Sequence, residues 1–167
     1  MRRRSALIAV TAALFAGGAG LGTAQASSPT AVGAAPSACR PANHTAKITA
    51  SPAHSGHRHY RVTLTAAPGY APCRLAGSPA DVRFHHHGSP RGVTAGRYGS
   101  QRAMVTFGPG RPVHFDIRVP GRPGGVRADE ATFTLKAPDG VIPGESSARG
   151  PLVVGAGTVI GPVRPGA

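Results

Sequence analysis

Val113-His114-Phe115-Asp116-Ile117-Arg118-Val119 alternates without a break, with apolar side chains at odd positions and polar ones at even positions. Successive side chains of an extended chain point to opposite faces, so this segment buries one face and wets the other as a β-strand. The same period recurs along the chain. Residues 60–65 carry Tyr60, Val62 and Leu64 on one side, and residues 81–87 carry Val82, Phe84 and His86. Ala103, Val105 and Phe107 form another such set, as do Ala131, Phe133 and Leu135. Ala46, Ile48 and Ala50 repeat it more weakly, and residues 152–163 read as a last extended segment diluted by glycine. Turn-forming runs at 66–72, 88–99, 108–110 and 120–125 separate these segments.

Gly (24) and Pro (17) make up about a quarter of the 167 residues, which rules out a long helical bundle or a coiled coil. No stretch shows the 3.6-residue period of an amphipathic helix. The expected fold is therefore all-β: an immunoglobulin-like antiparallel β-sandwich of about seven or eight strands. Its expected core is Ile48, Tyr60, Val62, Leu64, Val82, Phe84, Val105, Phe107, Val113, Phe115, Ile117, Phe133 and Leu135.

The N-terminus reads as an export signal. Arg2, Arg3 and Arg4 precede a mostly apolar run over residues 6–15, and Ala24-Gln25-Ala26 offers the small residues that a signal peptidase cleft accepts. Cleavage is expected after Ala26, giving a signal peptide at 1–26, a flexible Ser/Ala/Pro/Gly linker at 27–38 and a β-sandwich domain at 39–165. Residues 17–38 hold too few large apolar side chains for a good membrane anchor, and Pro36-Ser37-Ala38-Cys39 is a poor lipidation signal. The mature chain is expected to be a secreted monomer with no membrane span. Cys39 and Cys73, the two cysteines, are expected to form one disulfide in an oxidising compartment.

The frame around these cysteines resembles a known family. Cys39-Arg40-Pro41 opens the domain, and Pro72-Cys73-Arg74-Leu75-Ala76-Gly77-Ser78-Pro79 leads into the Val82/Phe84 strand. Val105-Thr106-Phe107-Gly108-Pro109-Gly110 stands before a second alternating strand. The arrangement is similar to that of the actinobacterial secreted family called domain of unknown function 4232, over about residues 39–165. Ala66-Ala67-Pro68-Gly69 replaces the Asn-containing turn of that family, Gly77-Ser78-Pro79 stands where Gly-Tyr-Pro is common, and a second cysteine pair is missing. The resemblance implies a secreted sandwich and no particular activity.

Two features carry chemistry. The first is eight histidines, of which His54, His57 and His59 precede or enter one strand and His85, His86 and His87 end another. In a strand His85 and His87 share a face, and His57 or His59 approaches them if the two strands pair, so His57, His59, His85 and His87 are candidate ligands for copper or zinc; no metal motif of recognised spacing is present. The second is charge. Lys and Arg number 19 against 6 acids, a net +13, and loss of residues 1–26 would leave +10. Arg61, Arg83 and Arg118 occupy polar strand positions, so a basic sheet surface could meet acidic cell-wall polymers. Dispersed Arg without a stacking platform is not a nucleic-acid signature.

Catalytic motifs are missing, and the chain is read as a non-enzyme with no required cofactor. Asp129 and Glu130 are adjacent, so they face opposite sides of a strand and cannot act as a carboxylate pair. His114 and Asp116 share a face, but no nucleophile is identifiable beside them. The expected role is association with the cell envelope or other extracellular polyanions, with histidine-mediated copper or zinc binding as the alternative.

Overall fold

A computed structural model describes residues 34–167. The expected signal peptide and residues 27–33 of the expected linker lie outside the described residues. After a 3-10 turn at Pro41–Asn43, β1 runs over His44–His54, β2 over His57–Ala66, β3 over Cys73–Ala76 and β4 over Ala80–His86. Next come β5 (Ser89–Pro90), β6 (Gly96–Arg97), β7 (Met104–Phe107), β8 (Val113–Pro120) and β9 (Val126–Thr134). The chain finishes with β10 (Lys136–Ala137), β11 (Gly140–Val141), β12 (Ser146–Val154), β13 (Val159–Ile160) and β14 (Arg164–Pro165).

A ten-stranded sheet runs in the order β5-β4-β9-β12-β1-β2-β8-β13-β6, with β14 also on β8. It is mixed rather than antiparallel. β1 pairs β12 in parallel at Ala46↔Ala148 and Lys47↔Arg149, and β13 pairs β6 in parallel. The immunoglobulin-like antiparallel sandwich is thus corrected to one curled mixed sheet, with a separate β3/β7 ribbon that contributes Leu75 and Phe107 to the same core. Hydrophobic alternation reports which residues face inward, but it carries no information on strand direction.

Alternation does predict the core. β2 reads buried at Tyr60, Val62, Leu64 and Ala66, and β8 at Val113, Phe115, Ile117 and Val119. Phe115 meets Phe133 edge to face at 5.1 Å. Eleven of the thirteen expected core residues are buried, and Val82 and Val105 are partly buried against them. Each large apolar side chain so buried contributes about 1.5–3 kcal/mol.

Cys39 and Cys73 form a disulfide, which ties the start of the domain to β3. The packed region begins before Cys39: Ala38 is fully buried and its N–H donates to the Ala71 carbonyl, while Ala71 donates to Pro36. The C-terminal segment packs as well, with Ala148, Val154, Ile160 and Val163 in the core. The β12 ladder slips between Arg149 and Leu152. Gly150 allows this, because a Cβ there would overlap the Ile48 carbonyl oxygen.

Candidate functional site

β4 and β9 pair antiparallel at Phe84↔Ala131 and His85↔Glu130. Phe84 and Ala131 lie in the core, so the next residues on that face are His86 and Asp129, at the rim. Beyond His86 the chain reverses through a two-residue loop, His87-Gly88, into Ser89. Both loop residues have positive φ, 50° and 78°, the signature of a type I′ hairpin turn. His87 therefore leaves the strand and folds back beside His86, their ring centroids 4.1 Å apart.

Asp129 receives both histidines. Its Oδ2 lies 3.1 Å from Nδ1 of His86 and 3.4 Å from Nδ1 of His87, and the backbone N–H of His87 donates to both carboxylate oxygens at 3.0 and 3.2 Å. That backbone donor, with the two imidazoles beside it, holds Asp129 below the usual carboxylate range. Nδ1 of His86 is shielded from solvent, and the Asp129 carboxylate oxygen 3.1 Å away is its polar neighbour. The cluster opens on a cleft of about 530 Å³ whose walls include Tyr60, Leu152 and Arg127.

The expected histidine pairing is therefore rearranged. His85 is not on the side of His87; its Nε2 approaches Thr132 Oγ1 at 3.4 Å on the outer face. His57 and His59 sit on β2, separated from β4 in the sheet by β9, β12 and β1. Their rings are 6.4 Å apart, and Nδ1 of His57 lies 2.8 Å from the Ser55 carbonyl. Among the described residues, the three potential ligands that converge are His86, His87 and Asp129, whose ligand atoms all lie within 4.8 Å of one another. The sequence signal for this was the X-Gly dipeptide at His87-Gly88, which ends the strand one residue earlier than alternation suggests.

Asp129 and Glu130 do separate to opposite faces. Glu130 joins Arg149 and accepts from the Ser147 hydroxyl on the outer face. His114 and Asp116 have different partners: Nδ1 of His114 is 3.1 Å from the Gly166 carbonyl, and Asp116 lies 3.9 Å from Arg61 Nε.

The three predicted arginines all face outward. Arg83 opposes Thr132, Arg61 opposes Thr49 and Asp116, and Arg118 opposes His59. Parallel pairing adds Lys47 beside Arg149 on the same face, and Arg164 opposes His114. This face thus carries the cations Arg61, Arg83, Arg118, Arg149, Arg164 and Lys47 against the acids Asp116 and Glu130. Arg118 is stacked on the Tyr98 ring at 3.9 Å, and burial pushes the Tyr98 phenol up despite that cation. Arg61 also donates to the Ala167 carbonyl.

A larger cleft of about 820 Å³ lies beside the disulfide, lined mainly by apolar side chains such as Ile142 and Pro143 and edged by Arg40, Arg74 and Asp139. No helix among the described residues is long and apolar enough to cross a membrane. The disulfide is consistent with an extracellular domain.

A curled mixed sheet fastened by one disulfide places the chain in the class of small stapled all-β domains. Within that class the chain belongs to the family described as Domain of unknown function (DUF4232), which it matches over residues 39–160, from the first cysteine through β13. No curated protein and no solved structure gives a significant match.

Proposed function

We propose that this is a secreted, non-catalytic domain that associates with acidic polymers of the cell envelope through the outer face of its sheet. The observation that supports this most is the concentration of Arg61, Arg83, Arg118, Arg149, Arg164 and Lys47 on strands that share one polar face, against Asp116 and Glu130. The two acids sit 3.8–3.9 Å from arginine Nε atoms, a spacing that neutralises little in water. Lys47 and Arg149 stand opposite each other on neighbouring strands, about 5 Å apart, while the other cations are spread over β2, β4, β8 and β14, so an extended polymer lying across the face would meet them in turn. Each phosphate neutralised releases bound counterions, so affinity should fall linearly in log salt.

The test is binding of the chain to a soluble polyglycerol-phosphate polymer between 50 and 300 mM NaCl. Replacing Arg61, Arg83 and Arg118 with Gln is expected to weaken binding at 50 mM salt at least tenfold and to flatten the salt slope. Unchanged affinity and slope in this variant would defeat the proposal.

A further inference from the structure

The rim cluster points to a chemistry that the basic face does not have. We infer that His86, His87 and Asp129 form a three-ligand site for a divalent transition ion of the zinc or copper class, with its remaining coordination positions open to the cleft. Three observations carry this. First, two imidazole nitrogens converge on one carboxylate oxygen at 3.1 and 3.4 Å. Metal–ligand bonds of about 2.0–2.1 Å put neighbouring ligand atoms about 2.9–3.4 Å apart in octahedral or tetrahedral sites.

Second, Nδ1 of His86 is hidden from solvent and faces the Asp129 carboxylate oxygen 3.1 Å away. A nitrogen in that position has given up water and has the Asp129 carboxylate as its polar neighbour. An ion seated between the two would satisfy both. Third, His87 holds a left-handed backbone, φ 50°, that a non-glycine residue adopts at a cost. That conformation brings its ring over His86 and its N–H onto Asp129, which fixes the carboxylate as a second-layer donor does in metal sites.

The donor set selects the ion. Two imidazoles and one carboxylate suit zinc, copper and nickel, while magnesium and calcium require oxygen ligands. The positive charge of the chain repels any cation, so binding rests on direct ligation and does not weaken as salt rises. This separates it from polyanion association, which salt abolishes.

The experiment is a calorimetric titration of the full chain with Zn(II), Cu(II), Ni(II) and Ca(II), at 50 and 300 mM NaCl, alongside His86→Ala, Asp129→Asn and the double variant His57→Ala/His59→Ala. Circular dichroism without metal checks that each variant is folded. One equivalent of Zn(II) or Cu(II) is expected to bind at micromolar or tighter dissociation constant at both salt concentrations, with no heat from Ca(II). His86→Ala and Asp129→Asn, each folded, are expected to weaken binding at least tenfold, and the His57/His59 variant to leave it unchanged. Co(II) is expected to give visible absorption that both rim variants lose. Lack of saturation below 1 mM, or a loss that follows His57 and His59 rather than His86 and Asp129, would overturn the assignment. Should Asp129→Asn fail to fold, the outcome for His86→Ala decides.

Discussion

His44 and His86 stand in two regions of the same sheet, and their surroundings differ in kind. His44 begins β1, beside the disulfide end of the core. Its Nδ1 lies 3.0 Å from the Ala38 carbonyl, its Nε2 lies 3.0 Å from Ser146 Oγ, and its ring meets Phe107 edge to face at 5.6 Å. His86 ends β4 at the open rim, where one nitrogen faces a carboxylate 3.1 Å away and a second imidazole lies beside it. An imidazole with both nitrogens satisfied by neutral partners is part of the structure. An imidazole turned toward a carboxylate and a second imidazole has capacity left for a ligand. Counting histidines therefore says less about metal binding than asking where each ring nitrogen finds its partner.

The contrast is broken most severely by removing the staple that supports the His44 region. Replacing Cys39 and Cys73 with Ser is expected to cost about 4 kcal/mol, as expected for a closed loop of 34 residues. Thermal denaturation checks this, with a fall of at least about 8–16 °C for a domain of this size. Metal binding at the rim should persist in the fraction that remains folded, and its loss there would mean the two regions are not independent.

A smaller effect is expected at His44 itself. His44→Ala leaves Ser146 Oγ and the Ala38 carbonyl without their partner and opens space beside Phe107, at about 2 kcal/mol. Burial holds the His44 pKa below its ordinary value, against the pull of the Ala38 and Arg40 backbone. The folded state then binds fewer protons than the unfolded one. Its contribution is present above about pH 6.5 and is lost as pH falls through the depressed folded value. Denaturant titration from pH 7 to pH 5 should show stability falling in the native chain, and a shallower fall in His44→Ala. Asp129, also depressed, gives its contribution above about pH 4 and loses it below, outside that window.

The smallest expected effect sharpens the other side of the comparison. His87→Gly relieves the left-handed backbone and removes the ring. Stability should change by less than about 1 kcal/mol, in either direction, while zinc affinity falls at least tenfold. A strongly destabilised His87→Gly would make the rim cluster structural and erase the distinction from His44.

Much of the core was legible in the sequence because it rests on a local rule. The period-2 runs around Tyr60, Phe84, Phe115 and Phe133 need only their own neighbours to declare an inward face, and those residues are buried. The course of the sheet was not legible. Residues 146–151, Ser-Ser-Ala-Arg-Gly-Pro, look like a loop by composition, yet they form two-thirds of β12 between β9 and β1. Partners on both sides supply what intrinsic preference lacks, and a bulge at Gly150 absorbs the mismatch. The outward positions of Arg61, Arg83 and Arg118 followed from alternation. The rim cluster did not, because one positive φ at His87 exchanges His85 for His86, and Asp129 comes from a strand some forty residues away.

The parallel ladder between β1 and β12 also sets a clock. Ala46 and Lys47 find their partners at Ala148 and Arg149, about a hundred residues later in the chain. During synthesis at about 5–20 residues per second, the exposed edge of β1 waits about 5–20 seconds before the strand that covers it exists. Until then β9 also lacks its β12 neighbour, and the hairpin of β1 and β2 has an open backbone edge. The sheet closes as a late event governed by a distant contact, so the vulnerable period of this domain is its interval as an incomplete chain.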